Sequence, residues 1–248
     1  TPELVKSFNR ETISRFIRNN YHTDEMVLSL VGNLPFDRFH AMADKYFGEI
    51  PEKIRISPRI AFSNYIPGIK RVKKDTFQTH CVLGNIAYDA RNKKRMGMVL
   101  LNNILGGQSM NSRLNLSLRE RNGLAYNVES TYSSFSDTGS FNIYFGTDKE
   151  NLEKALRLIK KEFTLLKEKK LGTLQLSRAK KQLIGQIAIA SEDRDDLMLT
   201  LGKSFLLYDQ VDSLEKIYQD IEKISEQTIL EIANEILDEK SLSVLIYE

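Results

Sequence analysis

Arg119 and Tyr126 lie in the run Leu118-Arg119-Glu120-Arg121-Asn122-Gly123-Leu124-Ala125-Tyr126-Asn127-Val128, and their types suit them to one kind of chemistry. A guanidinium and a phenol can both donate hydrogen bonds to a single carbonyl or oxyanion. To do so they must meet, and the run supplies a corner. Asn122-Gly123 reads as a helix stop, because glycine takes the left-handed conformation that closes a helix. Residues 126–135 follow, rich in β-branched and aromatic types that suit a strand. Arg119 then sits on a last helical turn and Tyr126 at the start of a strand. Taken alone, the corner favours a plainer reading: a solvated helix arginine and a half-buried strand tyrosine.

Other chemistries find less support. A zinc hydrolase commonly carries H-x-x-E-H on a helix, which puts two imidazoles on one face. The chain has three histidines, His22, His40 and His80. In His22-Thr23-Asp24-Glu25-Met26 the second histidine is replaced by methionine, and the string falls between a helix and a strand. No G-x-S-x-G elbow occurs, and the adjacent His80-Cys81 should point to opposite faces of a strand. The acidic run Ser191–Asp196 reads as a solvated face or a kink. Leu105-Gly106-Gly107-Gln108 lacks the lysine and the spacing of a phosphate loop. The basic stretches Lys160-Lys161, Lys167–Lys170 and Arg178–Lys181 alternate with apolar residues, as solvated helix faces do.

The elements that must position the corner follow from periodicity. Residues 9–20 read as a capped amphipathic helix with Ile13, Phe16 and Ile17 inward, 26–31 as a buried strand, and 36–47 as a second helix. All five prolines fall within the first 67 residues, and 48–70 lacks periodicity, so a linker is expected there. A strand is expected over 76–88, helices over about 92–105 and 111–121, and a hairpin over 126–147 turning at Ser136-Asp137-Thr138-Gly139. Helices at about 149–168, 173–207, 213–222 and 226–237 and a strand at 241–247 complete the chain. Strands and helices segregate, so the fold class is α+β, with a mostly antiparallel sheet packed against helices.

The totals set bounds. A chain of 248 residues can bury a sizeable core without staples. A net charge of +3 is far from that of a nucleic-acid binder, and no apolar run is long enough to cross a membrane. The lone Cys81 excludes an internal disulfide framework, reads as a core residue and inclines the chain toward a reducing, cytoplasmic setting. Thr1-Pro2-Glu3 has neither an initiator methionine nor a signal peptide, which points to a processed or excised piece.

The corner does not stand alone. Ser112-Arg113-Leu114, Leu118-Arg119-Glu120 and Gly123-Leu124-Ala125-Tyr126 together resemble the signature of the second domain of pitrilysin/insulinase-type zinc metallopeptidases, relatives of mitochondrial processing peptidase and of respiratory-complex core proteins. Residues 16–32 resemble that family's F-x-x-x-x-Y-x-x-x-N-M-x-L-x-x-x-G passage, with Glu25 where asparagine is usual. Lys45-Tyr46-Phe47-Gly48-Glu49-Ile50-Pro51 is similar to its Y-F-G-x-I-P ending, and Phe145-Gly146-Thr147 and the Ala179-Lys180 helix fit as well.

The resemblance implies a zinc metalloendopeptidase that hydrolyses peptides or unfolded proteins in a closed chamber. The family's H-x-x-E-H and further zinc-ligating glutamate would lie before Thr1. Residues 1–50 are then the tail of a truncated first domain, 51–67 a linker and 68–248 a complete second domain. The parent would hold zinc. This fragment would carry no metal ligand and no catalytic residue, and alone would be inactive. Arg119 and Tyr126 match the family's substrate-binding pair, which faces the zinc site and helps stabilise the tetrahedral intermediate. The expected partners are the peptide substrate and the missing N-terminal domain or a partner chain. An uncovered apolar face on residues 1–50 would let the fragment form a homodimer. Two further readings stay open: a non-catalytic partner or scaffold subunit of a processing-peptidase-like complex, and a peptide-binding module that uses strand edges.

Overall fold

The computed structural model describes residues 1–248. In chain order the helices are α1 (Pro2–Lys6), α2 (Arg10–Asn20), α3 (Phe36–Phe47), α4 (Arg95–Gly106), α5 (Leu152–Glu168), α6 (Thr173–Glu192), α7 (Arg194–Tyr208), α8 (Leu214–Glu222) and α9 (Glu226–Ile236). The strands are β1 (Ile69–Val72), β2 (Thr79–Ala87), β3 (Ala125–Ser134), β4 (Gly139–Thr147) and β5 (Ser243–Tyr247). The chain divides into two compact units. One holds Thr1–Ile60 and Ala190–Val211, the other Ala61–Ile189 and Asp212–Glu248.

The second unit is the α+β body expected from the sequence. Its sheet runs β1-β5-β2-β4-β3, antiparallel except where β1 pairs with β5. Period-two alternation puts Phe141, Ile143 and Phe145 of β4 on the helix side, with Cys81 and Leu83 of β2 and Ile246 of β5 beside them, all buried. Burial pushes the Cys81 thiol pKa up to about 12. Helix α5 closes this core with Leu152, Ala155, Ile159, Phe163 and Leu166 on one stripe, while Lys160 and Lys161 face outward. Lys180 departs from the expected solvated face. It is buried, and its Nζ donates to the Glu222 carbonyl at 2.6 Å, joining α6 to the end of α8.

Other boundaries moved for local reasons. The helix expected over 173–207 breaks at Asp193, whose carboxylate accepts from the Asp195 and Asp196 amides at 2.9 and 3.2 Å and so caps α7. The acidic run is therefore a junction. Strand β1 falls partly within the stretch read as irregular. It is held by its parallel register on β5, from Ile69 against Val244 to Val72 against Tyr247.

In the first unit, α2 and α3 form where expected, and Asn9 caps α2 through the Thr12 amide. The inward face expected of α2 is absent: Phe16 is 59% exposed, and α1, α2, α3 and α7 contain no buried residue. Residues 26–31 form no strand. They run extended and half-exposed beside α7, where the Ser29 hydroxyl donates to the Met198 carbonyl at 3.0 Å next to Gly202. A strand needs a ladder partner, and all five strands belong to the second unit.

The β3–β4 hairpin closes with the Phe135 amide donating to the Thr138 carbonyl at 2.8 Å. A Cβ on Gly139 would lie 2.2 Å from the Tyr88 carbonyl oxygen, a backbone atom that cannot swing aside. Gly139→Ala should therefore destabilise the chain by about 1–3 kcal/mol. The loss should appear as a lower urea midpoint at unchanged slope; a midpoint equal to wild type would show that the hairpin relaxes freely.

Candidate functional site

The segment between α4 and β3 builds the corner. Helix α4 ends against β3, where a Cβ on Gly106 would sit 2.9 Å from the Ser130 amide nitrogen. Asn115–Glu120 then coil as a π-helical turn, with the Arg121 amide reaching back to the Leu116 carbonyl at 3.1 Å. Leu114 and Leu118 are fully buried and anchor this turn in the core. The buried Asn115 amide holds it from within, donating to the Ser112 hydroxyl at 2.9 Å and more distantly to the Val128 carbonyl. The sequence offers no simple signal for this wider coil.

Gly123 ends the turn at φ +59°, the left-handed conformation expected of Asn122-Gly123. Its amide donates to the Arg119 carbonyl at 3.0 Å, and the Leu124 amide donates to the Leu118 carbonyl at 2.8 Å. The Asn122 side chain adds a bond to the Ser117 carbonyl at 2.8 Å. Beyond the glycine, the buried Thr147 hydroxyl donates to the Leu124 carbonyl at 2.6 Å, tying the entry of β3 to the end of β4.

A β-bulge follows. Ala125 pairs with Thr147 and Val128 with Phe145, so β3 spends one residue more than β4 between these pairs. Tyr126 and Asn127 are consequently both exposed instead of alternating, and Tyr126 is 86% exposed. The plainer reading of Tyr126 as half-buried is thus corrected. The Arg119 Nε lies 3.6 Å from Glu120 Oε1, leaving most of the guanidinium free. Arg119 and Tyr126 line one cleft of about 520 Å³, together with Gln78, Glu120, Gly146 and Asp148. Next to it, on the side of the sheet away from the core, His80 Nδ1 and the Tyr144 hydroxyl share a hydrogen bond of 2.8 Å with stacked rings. Sequence reasoning missed Gln78, Asp148, His80 and Tyr144 as neighbours of the corner. Only the register of β2 on β4, His80 against Gly146 and Val82 against Tyr144, brings them there.

The residues present do not fit zinc. No group of three or more His, Cys, Asp or Glu side chains is placed to hold a metal. His22 precedes a short 3₁₀ turn, Thr23–Glu25, and His40 pairs with Asp44 at 3.1 Å. Glu25 is bound by Arg59 at 2.8 Å and Arg55 at 3.2 Å. Although partial desolvation opposes ionisation, these two guanidiniums hold its carboxyl below the usual range.

The fold and the corner together define a family. Residues 7–183 match the model of the peptidase M16 inactive domain, and the chain belongs to that family. It is 29% identical to an uncharacterized zinc protease, YmxG, of Bacillus subtilis over 99% of its own length and 59% of that protein's. It is 31% identical to an uncharacterized zinc protease of Rickettsia felis over 98% of its own length and 58% of that protein's. The chain thus spans little more than half the length of these relatives. Among solved structures, a peptidase M16 inactive domain from Pseudomonas fluorescens superposes with a TM-score of 0.79 at 22% identity, covering 88% of this chain and 52% of that one. A chain of Complex III2 from Candida albicans superposes at 0.75 with 16% identity, covering 87% and 53%. At such identities these two likenesses establish the fold alone. No helix is long and apolar enough to cross a membrane.

Thr147→Val should remove the clasp on the corner and leave the Leu124 carbonyl buried without a donor. The expected cost is about 1–3 kcal/mol. Thr147→Ser, which keeps the hydroxyl, should stay near wild type in the same thermal melts, and equal melting of all three proteins would dismiss the clasp.

Proposed function

We propose that this chain is the zinc-free part of a zinc metalloendopeptidase, and that Arg119 and Tyr126 bind the substrate backbone and donate to the scissile carbonyl as it becomes an oxyanion. The observation that carries this reading is the pair of free donors lining one cleft, on a corner locked by the π turn, Gly123 and the bulge. Such donors act best when their positions are set before reaction. A guanidinium supplies a charged hydrogen bond, worth about 1.5–3 kcal/mol. Zinc, when bound elsewhere in the full-length protein, would supply Lewis acidity and an activated water. The names of the relatives support this reading, as does their greater length.

We propose further that residues 1–50 belong to a first domain completed by sequence outside this chain, with 51–67 a linker and 68–248 the second domain, of which Ala190–Val211 groups with the first compact unit. The exposed apolar side chains Phe16, Phe36 and Tyr46 support this, since a finished domain would cover them. The expected substrate is an extended peptide or unfolded protein held in the closed chamber of the full-length enzyme.

In the full-length protein, Arg119→Ala and Tyr126→Phe should each lower peptide hydrolysis by about 100- to 1000-fold, with zinc content unchanged. Wild-type turnover in both variants would refute the assigned role. The 248-residue chain alone should show no peptidase activity and no stoichiometric zinc. It should also self-associate in solution scattering through the uncovered face. One tightly bound zinc per chain in metal analysis would overturn that expectation.

A second reading shares the same geometry: the chain is part of a non-catalytic partner or scaffold subunit that lends its donors to a peptidase site on another chain. The donor pair lining the cleft suits both readings, since neither places the metal in this chain. An H-x-x-E-H in the remainder of the protein decides for the first reading, and its absence for the second.

A further inference from the structure

A second cavity, of about 180 Å³, lies within the second unit on the helix side of the sheet, away from the Arg119 cleft. The end of α4, the segment Asn111–Arg113 and the first half of α6 line it. Its walls mix apolar groups, Ile104, Leu171 and Ala179, with polar ones whose hydrogen bonds are unevenly spent.

Each side-chain amide oxygen already accepts one bond. Asn103 Oδ1 accepts from Gln182 at 3.2 Å, and Gln182 Oε1 accepts from Asn111 at 2.9 Å. Asn111 Oδ1 accepts from the Ser109 hydroxyl, and Gln175 Oε1 from the Gly172 amide at 3.2 Å. The donors are not used up. The amide nitrogen of the exposed Gln175, the Ser112 hydroxyl hydrogen and the guanidinium of the exposed Arg178 donate to no group of the protein, and Arg113 spends one Nη1 contact, at 3.3 Å, on Glu162. Two guanidiniums therefore line a cavity that no carboxylate lines, and only Arg113 has an acidic partner, Glu162. A site with spare donors, two guanidiniums and no carboxylate in its lining is complementary to an oxyanion. The volume is enough for a small anion and some solvent.

We propose that this cavity binds a small oxyanion, a carboxylate or a phosphate group, between Arg113 and Arg178. A ligand there bridges α6 to the segment that runs directly into the π turn carrying Arg119. Occupancy should therefore slow amide exchange over residues 109–121.

The test is calorimetric titration of the full-length protein with inorganic phosphate, and separately with acetate, at matched ionic strength. Saturable binding of either ion is expected, and which one binds names the ligand class. Arg178→Ala should weaken it at least about tenfold, as loss of a charged hydrogen bond implies. Gln175→Leu should also weaken it, while Lys181→Ala, an exposed charge on the same helix outside the cavity, should not. No saturable binding at tens of millimolar, equal affinity in Arg178→Ala, or equal weakening by Lys181→Ala would each overturn the proposal. Because the readout is binding, its failure leaves the assignment of Arg119 and Tyr126 untouched.

Discussion

The hydrogen bond from the buried Thr147 hydroxyl to the Leu124 carbonyl sets where β3 begins, and the cleft depends on that starting point. On one side of Leu124, the left-handed Gly123 closes the π turn and delivers Arg119. On the other, the bulge between Ala125 and Val128 turns Tyr126 outward. A plain strand entry would alternate its side chains and send one of Tyr126 and Asn127 toward the core. The corner works because two backbone irregularities sit back to back and a single buried hydroxyl registers both against β4. None of these devices is a charged contact, so the geometry should be insensitive to salt.

Much of this was legible from residue order. Glycine at 123 has a conformational meaning that survives any context, and the alternation of Phe141, Ile143 and Phe145 forces one face of β4 inward. The amphipathic stripe of α5 was equally plain, because its apolar spacing matches the helical period. What escaped was non-local. The π turn arises where the core takes Leu114 and Leu118 and Asn115 finds buried partners, a balance no local propensity encodes. The bulge exists only as a mismatch of count between two strands. His80 and Tyr144, 64 positions apart, meet only through register. Lys180 looked like any surface lysine, because nothing near it in sequence announces the Glu222 carbonyl.

The two units contrast in how their apolar residues are satisfied. In the second, helices α4, α5 and α9 place fully buried Leu101, Ile159 and Ile232 in one continuous core. In the first, helices of equally clear amphipathic pattern bury nothing completely. Periodicity thus located α2 to within one residue and α3 to its ends while misjudging their environment. A helical period reports which face seeks apolar contact and is silent on whether the contact is supplied within the same stretch of chain.

Strand β5 lies between β1 and β2, parallel to one and antiparallel to the other, although it follows every other strand in the chain. During synthesis β1 emerges early and then has no ladder to join until residues 243–247 arrive. The hairpin of β3 and β4 can form at once from neighbouring sequence, and β2 can add to it, but the sheet stays split until the final insertion. Closure of so long a loop is slow relative to local pairing. Until β5 adds, β2 would present an unpaired edge of the kind that misplaced strands can occupy.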